Sequence, residues 1–185
     1  MTDYTKLYET ACLNSDRKQQ SELLNKHGNK IDFDSMPIIN LSDACAVGNL
    51  TLVKSIIDNN KNNTNFNVHF CDDLPFRESC YCGHLEVAKW LLSNYPNIKV
   101  FDNFNDNLFQ YVCSNGHLDV AKWLYSMNST KVTDNFQSAF NSACCTGRIE
   151  IIKWILSIKK VDTTTGLRWA TERGHTNIVN FLKNF

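Results

Sequence analysis

One pattern of apolar and polar positions recurs along this chain. In its clearest copy, at 83–92, a glycine is followed by apolar residues spaced three and four apart, with Glu86 and Lys89 on the opposite side. That spacing is typical of a helix with one buried face. Because glycine accepts left-handed backbone angles, we expect each glycine to end one helix and the next helix to begin two residues later. Further copies lie at 48–57, 116–125, 147–156 and 174–182.

A second helical pattern precedes each glycine. Apolar or small residues recur at its first, fourth and fifth positions, as in Phe140, Ala143 and Cys144. The segments between helix pairs are rich in Asn, Asp, Ser and Thr, which favour turns. The predicted first helices cover 41–47, 76–82, 109–115, 140–146 and 167–173. The predicted loops cover 58–73, 93–107, 126–137 and 157–165.

The glycines follow one another at intervals of about 27 to 35 residues, a period typical of stacked supersecondary units. We therefore predict an all-α solenoid of stacked helix-turn-helix pairs with short hairpin loops, forming one domain over 1–185. The first unit is degenerate, and its polar second segment, 16–22, suits a terminal unit with one face in water. The expected units are 1–33 (N-terminal cap), 34–68, 69–101, 102–132, 133–160 and 161–185 (C-terminal cap).

Composition narrows the classes of partner. The formal net charge of the 185 residues is zero. A broad nucleic-acid or acidic-membrane footprint needs clustered Lys and Arg, so we expect neither partner. No apolar run reaches the length of a membrane span, and the start lacks a basic region followed by an apolar one. We expect an intracellular protein and a monomer.

The cysteines follow the same repeat. Eight cysteines in a chain without a signal peptide indicate reduced thiols. We interpret a column of four as small buried residues, because consecutive repeats are about 10 Å apart, too far for a disulfide. This cysteine column, three residues before each glycine, consists of Cys45, Cys80, Cys113 and Cys144. A zinc site using Cys80 with Cys82, or Cys144 with Cys145, is the alternative, although these spacings form no paired CxxC motif.

Large aromatic residues recur at the seventh position after the glycine. They are Trp90, Trp123 and Trp154, with Phe181 in the same column. Because large rings bury much area per residue, we predict a packed seam between second helices. A stripe of binding residues is the alternative.

The repeat resembles the ankyrin repeat, whose signature is a Thr-Pro-Leu-His turn, a first helix, a Gly-His pair and a second helix ending in Leu-Leu. The turn is eroded here: 74–77 keeps the proline, and 165–168 keeps the threonine and the leucine. The resemblance implies that the histidine of each Gly-His pair helps to start the second helix and bridges neighbouring backbones, rather than binding metal. These residues are His84, His117 and His175.

A narrower resemblance concerns origin. The stretch Gly-His-Leu-Glu-Val-Ala-Lys-Trp-Leu at 83–91, with its preceding cysteine, is similar to ankyrin proteins that giant DNA viruses of amoebae encode in large numbers. The abundance of Asn, Lys and Ile also fits an AT-rich genome.

Ankyrin domains hold partners with hairpin tips and the exposed face of the first helix, which line the concave side. The set that the resemblance implies mixes aromatics and carboxylates with few cations, so we expect a partner with basic residues and salt-sensitive association. Unit by unit, the positions are Phe70, Asp73 and Tyr81; Asn103, Phe104, Asp106 and Ser114; Asp134, Asn135 and Gln137; and Asp162, Glu172 and Arg173.

The resemblance implies a non-catalytic module that binds a host or viral protein, in the host cytoplasm if the protein is viral. No nucleophile elbow, phosphate-binding loop, HExxH or kinase signature occurs, so we predict no catalytic, cofactor-binding or metal-binding residues. One alternative is an adaptor for host ubiquitin ligation, although the recruiting segment expected after the last repeat is missing before Phe185. The other is a metal or thiol protein that uses the cysteine column.

Overall fold

The chain folds into α-helices. The computed structural model describes residues 2–13, 19, 22–23, 26–27, 30, 41–64, 66–101 and 107–185, and these ranges contain no β-strand. Over the same ranges, no helix is both long and apolar enough to cross a membrane. The all-α prediction is therefore confirmed. The helices are α1 (Tyr4–Leu13), α2 (Leu41–Val47), α3 (Leu50–Asn59), α4 (Phe70–Tyr81), α5 (Leu85–Asn94), α6 (Leu108–Asn115), α7 (Leu118–Met127), α8 (Ser129–Asp134), α9 (Phe136–Thr146), α10 (Ile149–Ile158), α11 (Thr164–Glu172) and α12 (Thr176–Lys183).

Two compact units make up the structure. The N-terminal unit comprises Met1–Ser79 and His84–Ile98, and the C-terminal unit comprises Cys80–Gly83 and Lys99–Phe185. The N-terminal unit contains α1, α2, α3 and α5, and the C-terminal unit contains α6 to α12. Nearly half of the predicted N-terminal cap, including the greater part of segment 16–22, lies outside the described residues.

The repeat glycines set the helix boundaries as predicted. Gly147 has φ 80° and follows the last residue of α9. Gly174 has φ 74° and lies between α11 and α12. Both values fall in the left-handed region, which glycine adopts without steric cost. The second helix begins two residues after the glycine, as α10 does after Gly147.

One first helix begins a full turn earlier than predicted. The sequence predicts that it starts at residue 140, whereas α9 starts at Phe136. Phe136 is fully buried. Its ring stacks on the ring of Phe109 with centroids 5.6 Å apart, and its centroid lies 5.9 Å from the centroid of the Trp154 ring. Contacts with Phe109 and Trp154 therefore extend α9 back to the buried ring of Phe136. Smaller extensions place the starts of α6 and α11 at Leu108 and Thr164.

The short helix α8 lies inside the segment 126–137, which composition predicts as a loop. Val132 within it is 1% exposed, so a buried apolar side chain anchors this turn of helix. A single apolar residue gives no periodicity, which is why the pattern does not reveal α8.

A left-handed turn opens α4, where the sequence predicts a loop up to residue 73. Cys71, Asp72 and Asp73 have φ between 48° and 60°, which is uncommon for residues with a side chain. The guanidinium of Arg77 donates from Nη2 to the carbonyl of Cys71 at 2.7 Å. This bond ties the turn to the right-handed part of α4.

The cysteine column is buried, as predicted. Cys45, Cys80, Cys113 and Cys144 are each 0% exposed, and none of the four forms a disulfide. Burial raises the pKa of Cys144 to about 12, with a smaller contribution from Cys145, and burial also raises the pKa of Cys113. The thiols of Cys113 and Cys144 therefore stay protonated near neutral pH, and the buried cysteines pack as small hydrophobic side chains. Within the described part of the chain, no three His, Cys, Asp or Glu side chains lie close enough together to hold a metal ion.

Trp154, a member of the predicted aromatic seam, is half-buried and contacts aromatic rings outside the predicted column. Trp154 of α10 meets Tyr125 of α7 edge to face, with ring centroids 5.9 Å apart. These two residues lie on consecutive second helices of the C-terminal unit, so an aromatic contact joins those helices, and the packing of the full column stays a prediction. In the N-terminal unit, the Lys54 ammonium lies 5.5 Å from the ring centroid of Trp90, which joins α3 to α5 through a cation–π contact.

Candidate functional site

The histidine that follows a repeat glycine bridges consecutive repeats. Nε2 of His84 donates to the carbonyl of Ala46 at 3.0 Å, and Nε2 of His175 donates to the carbonyl of Cys145 at 3.0 Å. Each acceptor lies two residues before the preceding repeat glycine. The bridging role that the resemblance implies is confirmed for these two residues. Neither ring makes a side-chain hydrogen bond that caps the second helix.

Arg148 occupies the histidine position before α10. Its Nε donates to the carbonyl of Ser114 at 3.1 Å, and the Thr146 hydroxyl donates to the same carbonyl at 2.7 Å. This carbonyl also lies two residues before a repeat glycine. The Ser114 backbone, in a residue predicted to bind a partner, is therefore used to join two repeats.

Tyr81, the last residue of α4, and Tyr111 of α6 form an aromatic pair within the C-terminal unit. The ring centroids of Tyr81 and Tyr111 lie 5.5 Å apart, with an interplanar angle of 69°. Tyr111 is 55% exposed, and Tyr81 is half-buried. The Asn115 amide donates to the carbonyl of Tyr81 at 2.8 Å and fixes α6 beside it. The pair thus presents a positioned aromatic surface to solvent.

Neutral polar groups continue this surface. Nε2 of Gln110 donates to the Ser142 hydroxyl at 2.9 Å, which joins α6 to α9. Neither Leu108–Asn115 nor Phe136–Thr146 contains an Asp, Glu, Lys or Arg residue. We call this surface the first-helix face and define it as Tyr81, Gln110, Tyr111, Asn115, Ser142 and Thr146.

In the helix pairs α6–α7 and α9–α10, the charged residues lie on the second helices. On α10, the Lys153 ammonium lies 2.9 Å from the Glu150 carboxylate. On α7, the charged residues are Asp119 and Lys122, both exposed. The six side chains that define the first-helix face are uncharged, whereas Arg77 and Glu78 lie one turn before Tyr81 on α4, and Arg148 lies at the edge of the face.

The predicted set of binding residues does not include Tyr111. This residue stands five positions before its repeat glycine, where three other repeats have Asp43, Glu78 and Ser142. The last repeat also has an aromatic residue there, Trp169, so the sequence alone does not single out Tyr111, and its exposure in the structure does. The set predicted from the family contains only residues at the hairpin tips and in the last turn of each first helix.

Gln137 and Asp162 are predicted binding residues that the structure brings together. The Gln137 amide donates to the Asp162 carbonyl at 2.8 Å, and its oxygen accepts from the Asp162 N–H at 2.8 Å. The Asp162 carboxylate accepts from the Thr164 N–H at 2.9 Å, and this bond lowers the pKa of Asp162. The hydrogen bonds of Gln137 and Asp162 therefore fix the backbone between α10 and α11.

In the N-terminal unit, only one of two predicted residues is exposed. Phe70 is 53% exposed, whereas Asp73 is 4% exposed. The prediction that Asp73 lies on an exposed face is wrong. Its carboxylate is buried by the left-handed turn and pairs with Nδ1 of His69 at 2.5 Å. A buried carboxylate requires such a partner.

Several other predicted positions are not brought to one place. Asn103, Phe104 and Asp106 lie outside the described residues, as does the side chain of Asp134. Asn135 is half-buried and precedes α9. Glu172 and Arg173 are exposed beside the last repeat glycine. Their roles in binding stay predictions.

Comparison with known proteins bears on the repeat itself. The family model described as "Ankyrin repeats (3 copies)" matches residues 41–135 and 109–185. These ranges include every helix from α2 to α12. No curated protein matches the sequence.

Proposed function

Because the chain belongs to the ankyrin-repeat family, we propose that it is a non-catalytic module that binds another protein through its first-helix face. Ankyrin repeats are protein–protein interaction modules, so the family supports the general activity. The residues of the face are our own assignment, because fold alone does not locate a site.

The exposed Tyr81–Tyr111 pair carries this proposal. Tyrosine supplies a large, rigid contact area at low cost in conformational entropy, and it is enriched among residues that dominate binding energy. The 55% exposure of Tyr111 leaves its ring accessible to a partner. Amide and hydroxyl groups around the pair match the polar rim that surrounds such anchors.

The origin and location of the partner form a separate part of the proposal. The resemblance of 83–91 to giant-virus ankyrin proteins supports a viral protein that binds a host or viral partner in the host cytoplasm. We also propose that the chain is a monomer. Its partner is a protein rather than a nucleic acid, because the formal net charge is zero and a phosphate backbone is bound through an excess of positive charge.

The two alternative functions receive less support. Metal binding and thiol chemistry both require thiolates, whereas burial raises the pKa of Cys144 to about 12. The role of adaptor for ubiquitin ligation rests on the resemblance alone, since no contact among the described residues favours it.

A capture experiment tests the proposed function. We expect Tyr111→Ala to weaken retention of a protein partner from amoebal extract by about 30-fold or more, as for a truncated hot-spot residue. Its melting temperature should stay within a few degrees of wild type because the ring is 55% exposed. The matched control is Phe185→Ala, which removes a ring that is 71% exposed outside the first-helix face. Equal retention by Tyr111→Ala and wild type would contradict the assignment.

A further inference from the structure

Four of the repeat glycines are covered by a planar side chain from the following repeat. We define a socket as a repeat glycine together with the backbone carbonyl two residues before it. A Cβ built on these four glycines would lie only 2.2 to 2.9 Å from the covering side chain, so the socket requires a residue without a side chain. The occupants are His84, His117, Arg148 and His175.

Three of these occupants also donate a hydrogen bond to the carbonyl of the socket. His84 and His175 donate from Nε2 at 3.0 Å, and Arg148 donates from Nε at 3.1 Å. The socket therefore selects a planar group that covers the glycine and has an N–H at its edge. Imidazole and guanidinium have both features, whereas the ammonium of lysine has donors but no planar surface.

The fifth socket, at Gly174, is exposed to solvent. A Cβ built there meets no atom of the described residues within 4 Å, although its φ of 74° resembles that of the other repeat glycines. The carbonyl of this socket belongs to Glu172, and no N–H or hydroxyl group within the described part of the chain donates to it. The glycine and the acceptor of a filled socket are thus both accessible to another molecule.

Arginine suits this socket better than histidine does. Arg148 is itself exposed and reaches its socket from the surface, whereas the histidine occupants are half-buried within their repeats. A side chain from another protein also approaches from the surface. Glu172 adds a carboxylate that can pair with a guanidinium, whereas the equivalent residues of the filled sockets are uncharged. These equivalents are Ala46, Tyr81, Ser114 and Cys145.

The cations of the same repeat have other positions. The guanidinium carbon of Arg168 lies 5.5 Å from the ring centroid of the adjacent tryptophan, and Lys183 lies in the last turn of α12. Arg173 precedes the glycine, as Asn115 and Thr146 do in their repeats. Those two residues donate to the carbonyl of the preceding socket, so we expect Arg173 to lie on that side of its repeat.

We propose that the socket at Gly174 binds an arginine side chain of a second protein. The guanidinium covers the glycine, donates to the Glu172 carbonyl as Arg148 does in its own socket, and pairs with the Glu172 carboxylate. This site lies outside the first-helix face and does not depend on it. It assigns a partner group to Glu172, which the sequence predicts as a binding residue.

Three end-blocked synthetic peptides that differ only in their central residue test the site on the full chain. The central residue is arginine, lysine or histidine, and NMR titration follows the backbone amides of Gly174 and His175. We expect the arginine peptide to shift these signals and to bind at least about fivefold more tightly than the other two, because only it combines reach, planar surface and charge.

Two variants locate the peptide. Gly174→Ala places a Cβ where the planar group lies in the filled sockets, so it should weaken the arginine peptide at least about fivefold. Glu172→Gln keeps the carbonyl and removes the charge, so it should weaken the peptide and lower the salt dependence of binding. This second variant keeps the test decisive if Gly174→Ala is poorly folded. The control is Tyr111→Ala, which should bind the peptide as wild type does.

Three results would overturn the inference. The first is the absence of shifts at about 10 mM arginine peptide, a concentration that detects millimolar binding. The second is equal affinity for the arginine and lysine peptides, or equal binding of the arginine peptide by wild type and both socket variants. The third is a shift of the Gly174 signal with protein concentration alone, which would identify a second copy of the chain as the occupant.

Discussion

Phe140→Ala is expected to lower the free energy of unfolding by about 3–5 kcal/mol, the loss typical of a large ring removed from a core. Phe140 is 0% exposed in α9. A Cβ built on Gly166 of α11 would lie 2.5 Å from its Cε1, so the ring packs directly against the backbone of the following repeat. Truncation removes buried apolar area and leaves a cavity between two helices of the C-terminal unit, which the backbone cannot close without moving.

Equilibrium denaturation in urea measures this loss, and Phe185→Ala is the control. The Phe185 ring is 71% exposed, so the same deletion there should change stability by no more than about 0.5 kcal/mol. A loss below about 1 kcal/mol for Phe140→Ala would show that this ring is not part of a close-packed contact between repeats.

Gly147→Ala is expected to destabilise the chain through two effects. The left-handed backbone at φ 80° costs a residue with a Cβ about 1–2 kcal/mol. In addition, the new Cβ would lie 2.9 Å from Cε1 of His175, so the ring that donates to the Cys145 carbonyl must move. Loss of that bridge adds about 1 kcal/mol.

Gly174→Ala separates the two effects. Gly174 has φ 74°, but a Cβ there would have no atom within 4 Å. We expect this variant to show the backbone cost alone, so denaturation should rank Gly147→Ala as the more destabilised. Equal losses for the two variants would mean that the packing of His175 contributes nothing to stability.

The sequence predicts the parts of the fold that repeat. Each repeat glycine marks a helix end, because no other residue takes the left-handed angle so readily, and the buried cysteines follow from their fixed distance to it. The start of α9 is harder to predict, since it depends on rings of Phe109 and Trp154 that are distant in sequence. Local composition at 126–137 is typical of a loop and does not report those contacts.

The candidate site is less predictable than the fold. Transferring positions from a family assumes that each unit exposes the same residues, and Asp73 shows where this fails. Its left-handed turn buries the carboxylate against His69. Tyr111 shows the reverse, because it is an exposed aromatic at a position that the transferred set does not contain. Both differences are specific to one repeat, so a pattern defined by what repeats share does not contain them.

Oxidative footprinting of the chain with its captured partner tests the first-helix face most directly. Tyr111 and Met127 report on opposite helices of one pair, with exposures of 55% and 36% in the chain alone. Binding at the first-helix face predicts that the partner protects Tyr111 from oxidation and leaves Met127 as reactive as before. Protection of Met127 with unchanged oxidation of Tyr111 would place the partner on the second helices and contradict the proposed function.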